Sequence, residues 1–146
     1  MKREIIPYTI LCTTLSKKAK AVDRAINGIR TVYDLTAPQY NVLHALSTKE
    51  DGCQTMKELE RCLNAAQSTV VGIVDRLVAK QLVETFSSET DHRVRVVHIT
   101  PLGMQCHSEV FDEYHQICYH ILEGLNETEQ QILYMLLEKI CPESEQ

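Results

Sequence analysis

The chain has 146 residues, 44% of them apolar and 24% charged, with five Gly, four Pro and a formal net charge of −5. That length fits one ordinary domain with a real core, and the composition excludes a disordered or collagen-like chain and disfavours a turn-rich all-β sandwich. No apolar run approaches a membrane span, and the stretch from Ile5 to Leu15 is broken by Pro7, Thr9, Thr13 and Thr14 with no small-residue cleavage site after it, so a cytoplasmic protein is expected.

The spacing of Leu11, Leu15, Val22, Ile26 and Ile29 predicts a first helix from near Ile5 to about Thr31, with Lys17, Lys18, Lys20, Arg24 and Arg30 on its other face. Thr36-Ala-Pro-Gln39 is a capping box with Pro38 in the first turn, opening a helix that faces Tyr40, Leu43 and Leu46 inward. Thr55-Met-Lys-Glu58 is a second box, opening a short helix through Leu59 to Leu63. Asn64-Ala-Ala-Gln67 reads as the start of a third helix, from about Ala65 to Lys80, with Val70, Ile73, Val74 and Leu77 inward. So tight a corner, built of small residues, suits a helix-turn-helix.

The period then changes. Val83 to Ser88 and Arg93 to Ile99 are β-prone and flank the polar turn Glu89 to His92. Arg93, Arg95, Val97 and Ile99 share one face, charged at the tip and apolar at the base, as in a hairpin projecting from a core. Thr100-Pro101 starts a long helix to about Gly124, with Leu102, Cys106, Val110, Ile117 and Ile121 along its apolar stripe. Asn126-Glu-Thr-Glu129 begins the last helix, carrying Ile132, Leu133, Leu136, Leu137 and Ile140, and Pro142 ends it. The expected fold is mainly α with a small β-hairpin wing. A winged helix-turn-helix lobe (33–103) sits within a single domain (1–146), and the helices of 1–32 and 104–146 carry more apolar surface than that lobe can cover. A second copy of the chain is the simplest use for the surplus, so a homodimer is expected.

Charge is segregated along the chain. Met1 to Arg30 holds seven basic and two acidic residues, Cys53 to Gly103 six of each, and Met104 to Gln146 one basic and nine acidic. An acidic total therefore does not exclude nucleic acid, because the local field decides what approaches. The six cysteines, at 12, 53, 62, 106, 118 and 141, contain no C-x-x-C pair and are read as buried, reduced thiols. His107, His115 and His120 have no i, i+4 spacing, so no metal is expected. No nucleophile, base and orienter group together and no Gly-rich phosphate loop occurs, so neither an enzyme nor a cofactor is expected.

Several motifs follow one another in order: Leu35-Thr-x-x-Gln39-Tyr-x-Val-Leu43, Leu59 and Leu63, Val74-Asp75-Arg76-Leu77, and Leu82-Val83-Glu84. Asp91-x-Arg93-x-x-x-Val97-x-Ile99-Thr100-x-x-Gly103 completes the series. These 69 residues, Leu35 to Gly103, resemble the winged-helix block of the MarR (multiple antibiotic resistance regulator) family, the last stretch being similar to its wing signature. The resemblance implies a homodimeric transcription regulator, usually a repressor, on a pseudo-palindromic operator of double-stranded DNA. It implies DNA contacts from Gln67, Ser68 and Thr69 at the head of the recognition helix, from Arg76, and from Asp91, Arg93 and Arg95 of the wing. Arg93 would enter the minor groove, and Asp91 would orient Arg93, Arg95 or Arg76.

Two positions depart from the family pattern. Val71-Gly72 stands where many relatives carry a basic or hydroxyl residue, and Gln81 stands where Gly is usual, which strains the backbone if φ is positive there. Release from DNA has two candidate triggers. One is a small aromatic or acidic effector, with Tyr33, Tyr40 and His44 as candidate pocket residues. The other is oxidation of Cys12, whose Leu11-Cys12 step resembles the peroxide-sensing branch. Ser16 and Ile26 stand where that branch has its tyrosines, so a small residue at the dimer interface is the competing reading of Cys12. A winged helix kept as a protein-interaction module, with weak or lost DNA binding, is the alternative function.

Overall fold

The computed structural model describes residues 5–141, so Pro142 and the first four residues lie outside the described residues. Six helices and three short strands follow one another as α1 (Tyr8–Val32), α2 (Ala37–Ser47), β1 (Cys53–Thr55), α3 (Met56–Leu63), α4 (Gln67–Ala79), β2 (Val83–Ser87), β3 (Arg95–Ile99), α5 (Pro101–Leu122) and α6 (Glu127–Glu138). The strands form one antiparallel sheet in the order β1-β3-β2. This is the winged helix-turn-helix expected, with flanking helices.

Local chemistry sets most of the boundaries. The boxes at Thr36/Gln39, Thr55/Glu58 and Asn126/Glu129 are all closed reciprocally, and the Thr100 hydroxyl accepts from the Gly103 N–H. Pro7 delays the start of α1 to Tyr8, since the residue before the helix adopts extended backbone with ψ 141°. Asn64 corrects the expected reading. It does not open α4 but ends α3, in left-handed conformation at φ 47°, which Asn tolerates better than most side chains. Strand β1 also escaped the sequence reading, because three residues are too few for an alternation to show. It pairs with β3 (Gln54 opposite Val97), and the buried Gln54 side chain donates to the Ala45 carbonyl at 2.7 Å, pinning the strand to α2.

The core lies between α2, α3, α4 and the sheet, where Leu43, Leu46, Leu59, Leu77, Val74 and Val97 are fully buried. The flanking helices behave differently. Ile29 near the end of α1 is buried, but Leu11 and Leu15 on the same stripe are exposed, because no described residue packs over the first turns of α1. Along α5 the buried residues are Gly103, His107 and Val110, whereas Leu102 and Ile121, expected inward, face out. No residue of α6 is buried, and Ile132, Tyr134, Met135 and Leu136 are all at least half exposed. The cysteines are free as expected, but none is buried. Cys12, Cys62 and Cys141 are exposed and Cys53, Cys106 and Cys118 are half-buried, since four sit on helix faces, Cys53 on an outer strand and Cys141 past the end of α6.

One joint ties the recognition helix, the wing and α5 together. Gln81 has φ 60°, so it adopts the left-handed conformation that its position after α4 demands. Its N–H bonds to the Val78 carbonyl and the Leu82 N–H to the Leu77 carbonyl, the pattern of a Schellman closure. The Thr100 hydroxyl donates to the Gln81 carbonyl at 2.7 Å and the Thr100 N–H to that of Leu82 at 3.1 Å. Gly103 then passes so close that a Cβ there would lie 2.0 Å from the Leu82 oxygen. Gln81→Gly should raise stability by about 1 kcal/mol by relieving the left-handed penalty. Gly103→Ala should lower it by about 3 kcal/mol through overpacking against backbone that cannot yield. Urea unfolding of the two variants against the parent reads both signs.

Candidate nucleic-acid interface

The head of α4 is the least finished helix start among the described residues that begin elements of the winged lobe. Its N-cap is Ala66, which offers no side-chain acceptor; the Thr69 N–H turns to the Ala66 carbonyl at 3.0 Å, and the N–H groups of Gln67 and Ser68 stay available. Gln67, Ser68 and Thr69 occupy that turn and are exposed. Such an end carries partial positive charge and suits a phosphate.

The wing is held in a fixed pose beside it. Asp91 Oδ1 accepts from the Arg93 backbone N–H at 3.0 Å, and the Val94 N–H reaches back to the Asp91 carbonyl at 2.9 Å. The Ser88 N–H closes the loop onto the Val94 carbonyl at 2.8 Å. Asp91 therefore orients Arg93 through the backbone, in an Asx turn, and pairs with no guanidinium among the described residues. Arg93, expected to begin the second wing strand, lies in the turn two residues before β3, and its side chain is left exposed.

Arg95 has a different partner. Its guanidinium donates to Asp75 Oδ1 of α4 at 3.1 Å and to the Thr85 hydroxyl at 3.4 Å. Both charges are partly solvated, so the pair adds little to stability. Its effect is geometric: it ties the wing to the recognition helix. Gln67, Arg93 and Arg95 line one groove of about 690 Å³ between the wing and the heads of α3 and α4, together with Lys57 and Val71. Arg76 does not join them. It lines a separate hollow with Thr36 and Lys80, by the head of α2, where Lys80 pairs with Asp34. Asp75 and Lys57 are the residues that sequence reasoning did not assign. Asp75 stood inside a quoted motif, but a carboxylate twenty positions from its arginine leaves no local spacing to read.

A second hollow, of about 330 Å³, lies between α1, α2 and α5, lined by Arg30, Tyr40, His44, Val110, Phe111 and Tyr114 among others. Two of the three expected pocket residues are here. Tyr33 is not: its hydroxyl donates to Glu113 Oε1 at 2.7 Å, and that bond, ahead of desolvation, pushes its pKa up to about 12. Arg30, expected on the solvent face of α1, takes part instead, because α1 meets α2 and α5 only in its last turns. Desolvation raises the Tyr40 pKa, and the hydrogen bond to Cys118 is the largest cause raising that of Tyr114. Arg30 opposes both shifts.

The MarR family model matches residues 33–94, the lobe that holds the groove. The HTH-type transcriptional repressor IacR of Pseudomonas putida is 28% identical over 139 residues, which is 95% of this chain and 80% of that protein. The uncharacterized HTH-type transcriptional regulator YsmB of Bacillus subtilis is 30% identical over 108 residues, 74% of this chain and 73% of its own. The chain belongs to the MarR family. Wild-type MarR of E. coli in its apo form shares 27% identity, with a TM-score of 0.69 over 95% of this chain and 100% of that one. Membership makes this a DNA-binding transcription regulator of winged helix-turn-helix type, in a family of regulators and not of enzymes. No described helix is long and apolar enough to cross a membrane.

Arg93→Ala should weaken binding to a specific duplex by about 1–3 kcal/mol and lower the salt slope by about one. Asp75→Ala, which unties Arg95 without removing a cation, should cost affinity with the slope unchanged. Anisotropy titrations over a salt series separate the two effects.

Proposed function

We propose that this MarR-family chain is a repressor that binds a pseudo-palindromic operator as a homodimer, in the cytoplasm, and is released by a small aromatic carboxylate. The observation that carries the DNA reading is the groove in which the open head of α4, Gln67 and the Asx-turned Arg93 converge. Ser68 and Thr69 add donors beside it, and Arg76 offers a phosphate contact from the flank. Lobe 33–103 would read DNA, and the helices of 1–32 and 104–146 would pair. The unpartnered apolar face of α6, with the exposed first turns of α1, supports that pairing. A lone interaction module is less well supported, since the groove keeps the Arg93 guanidinium exposed and uncommitted.

The hollow beside Arg30 supports the choice of effector: one cation, Arg30, among aromatic rings suits a ring bearing an acid. Bordetella bronchiseptica BpsR, whose DNA binding is regulated by 6-hydroxynicotinic acid, shares 23% identity and a TM-score of 0.72, covering 96% of this chain and 99% of that one. NadR, solved in complex with 4-hydroxyphenylacetate, shares 19% and 0.65, covering 99% of each. A ring wedged between α1, α2 and α5 would change the spacing of two recognition helices so that one operator no longer satisfies both. Cys12 lies on the early part of α1 that would pack against the second copy, which gives oxidation less support.

Anisotropy of the reduced protein on the duplex upstream of its own gene should show binding at least about a thousandfold tighter than to scrambled duplex at near-physiological salt. Benzoate or 4-hydroxyphenylacetate should weaken it, and peroxide should not. Equal weak binding to both duplexes would favour the interaction module. Leu136→Asp should yield monomers in sedimentation and cost at least about a hundredfold in operator affinity, because the second half-site is no longer tethered.

A further inference from the structure

We propose that the His44–His107 imidazole pair takes up one proton when an aromatic carboxylate enters the neighbouring hollow, so that effector binding is proton-coupled and tightens as pH falls. The inference rests on the reading of that hollow as the effector site.

His44 of α2 and His107 of α5 meet nitrogen to nitrogen, Nδ1 to Nε2, at 3.0 Å. Two neutral imidazoles satisfy this contact, one N–H donating to the other's lone pair. A proton taken from solvent adds to the donor ring on its far nitrogen and leaves N–H···N in place, now charge-assisted. A second proton would set two N–H groups face to face and break it. The pair therefore has room for one positive charge at no cost in geometry.

His44 lines the hollow and His107 lies behind it, buried, with Tyr40 and Phe111 stacked on both rings. The groups facing the pair are few. From α2 they are Tyr40 and the Ser47 hydroxyl, 3.4 Å from His107 Nε2. From α5 comes Tyr114, and from α1 Arg30, the one full charge lining the hollow. The α5 carboxylates Glu109 and Glu113 act on Tyr33 instead. Burial and then the charge of His44 hold the His107 pKa below the usual histidine value, and Arg30, lining the same hollow as His44, has no carboxylate partner among the described residues. A carboxylate beside Arg30 cancels that cation and adds a negative charge facing the pair, which favours the protonated form. Since the bound state holds more protons than the free state, affinity rises as pH falls.

Calorimetry of the full chain with benzoate and with 4-hydroxyphenylacetate, at pH 7.5 in HEPES and in Tris, tests this directly; both carboxylates stay ionised there. The expected result is an apparent enthalpy that differs between the buffers in proportion to proton uptake, approaching one per site. Kd should tighten by up to about tenfold per unit as pH falls from 8.5 to 7. His107→Gln should still give a binding heat but without the buffer dependence. Equal heats in the two buffers overturn the proton coupling while leaving the hollow a binding site. Buffer dependence that survives in His107→Gln assigns the proton elsewhere and overturns it too. No heat with either acid overturns the reading of the hollow, and the coupling with it.

Discussion

The angle between the recognition helix and α5 is set at one joint. There the Thr100 hydroxyl holds the Gln81 carbonyl, and Gly103 passes against the Leu82 oxygen with no space for a methyl group. Interiors packed this closely do not deform continuously. A shift of α5 is therefore passed to the end of α4 and the base of the wing as a rigid movement. The hollow between α1, α2 and α5 lies on the same helix a few turns along. That would place the proposed effector hollow and the DNA-reading helix on one lever.

The wing follows the same logic by cheaper means. Arg95 and Asp75 form a half-exposed pair of small energetic worth, yet the pair decides where the wing lies relative to α4. Arg93 owes its projection to a backbone turn and not to an ion pair, so its guanidinium stays uncommitted. The acidic total of the chain matters less here than the local balance, because Lys57, Arg93 and Arg95 line the groove against one carboxylate, that of Glu60.

What could be read from the sequence was what is decided within a few residues. The capping boxes at Thr36, Thr55 and Asn126, the Thr100-Pro101 start of α5 and the left-handed demand at Gln81 are all local chemistry. The lobe and most of its groove followed from them and from the family resemblance. What was missed depends on packing at a distance. Asn64 could cap a start or an end, and only the corner's path decides. β1 is defined by Val97 across the sheet and Ala45 beneath it. Leu102 and Ile121 keep the helical period, but a period cannot say how much of a helix its own chain covers. Tyr33 and Arg30 exchanged places in the candidate pocket because the crossing of α1 over α5 has no signature in sequence.

The missing cap at Ala66 has a consequence for how the protein finds a site. Four other helices of the described chain carry a side chain that completes their first turn, so their backbone asks nothing of a neighbour. At the head of α4 no side chain does this, the Gln67 and Ser68 N–H groups stay available, and every stretch of duplex offers an acceptor oxygen on its backbone. On the proposed reading such a foothold would be blind to sequence. It would favour lingering and sliding along any DNA, and leave the choice of where to stop to the few side chains around it.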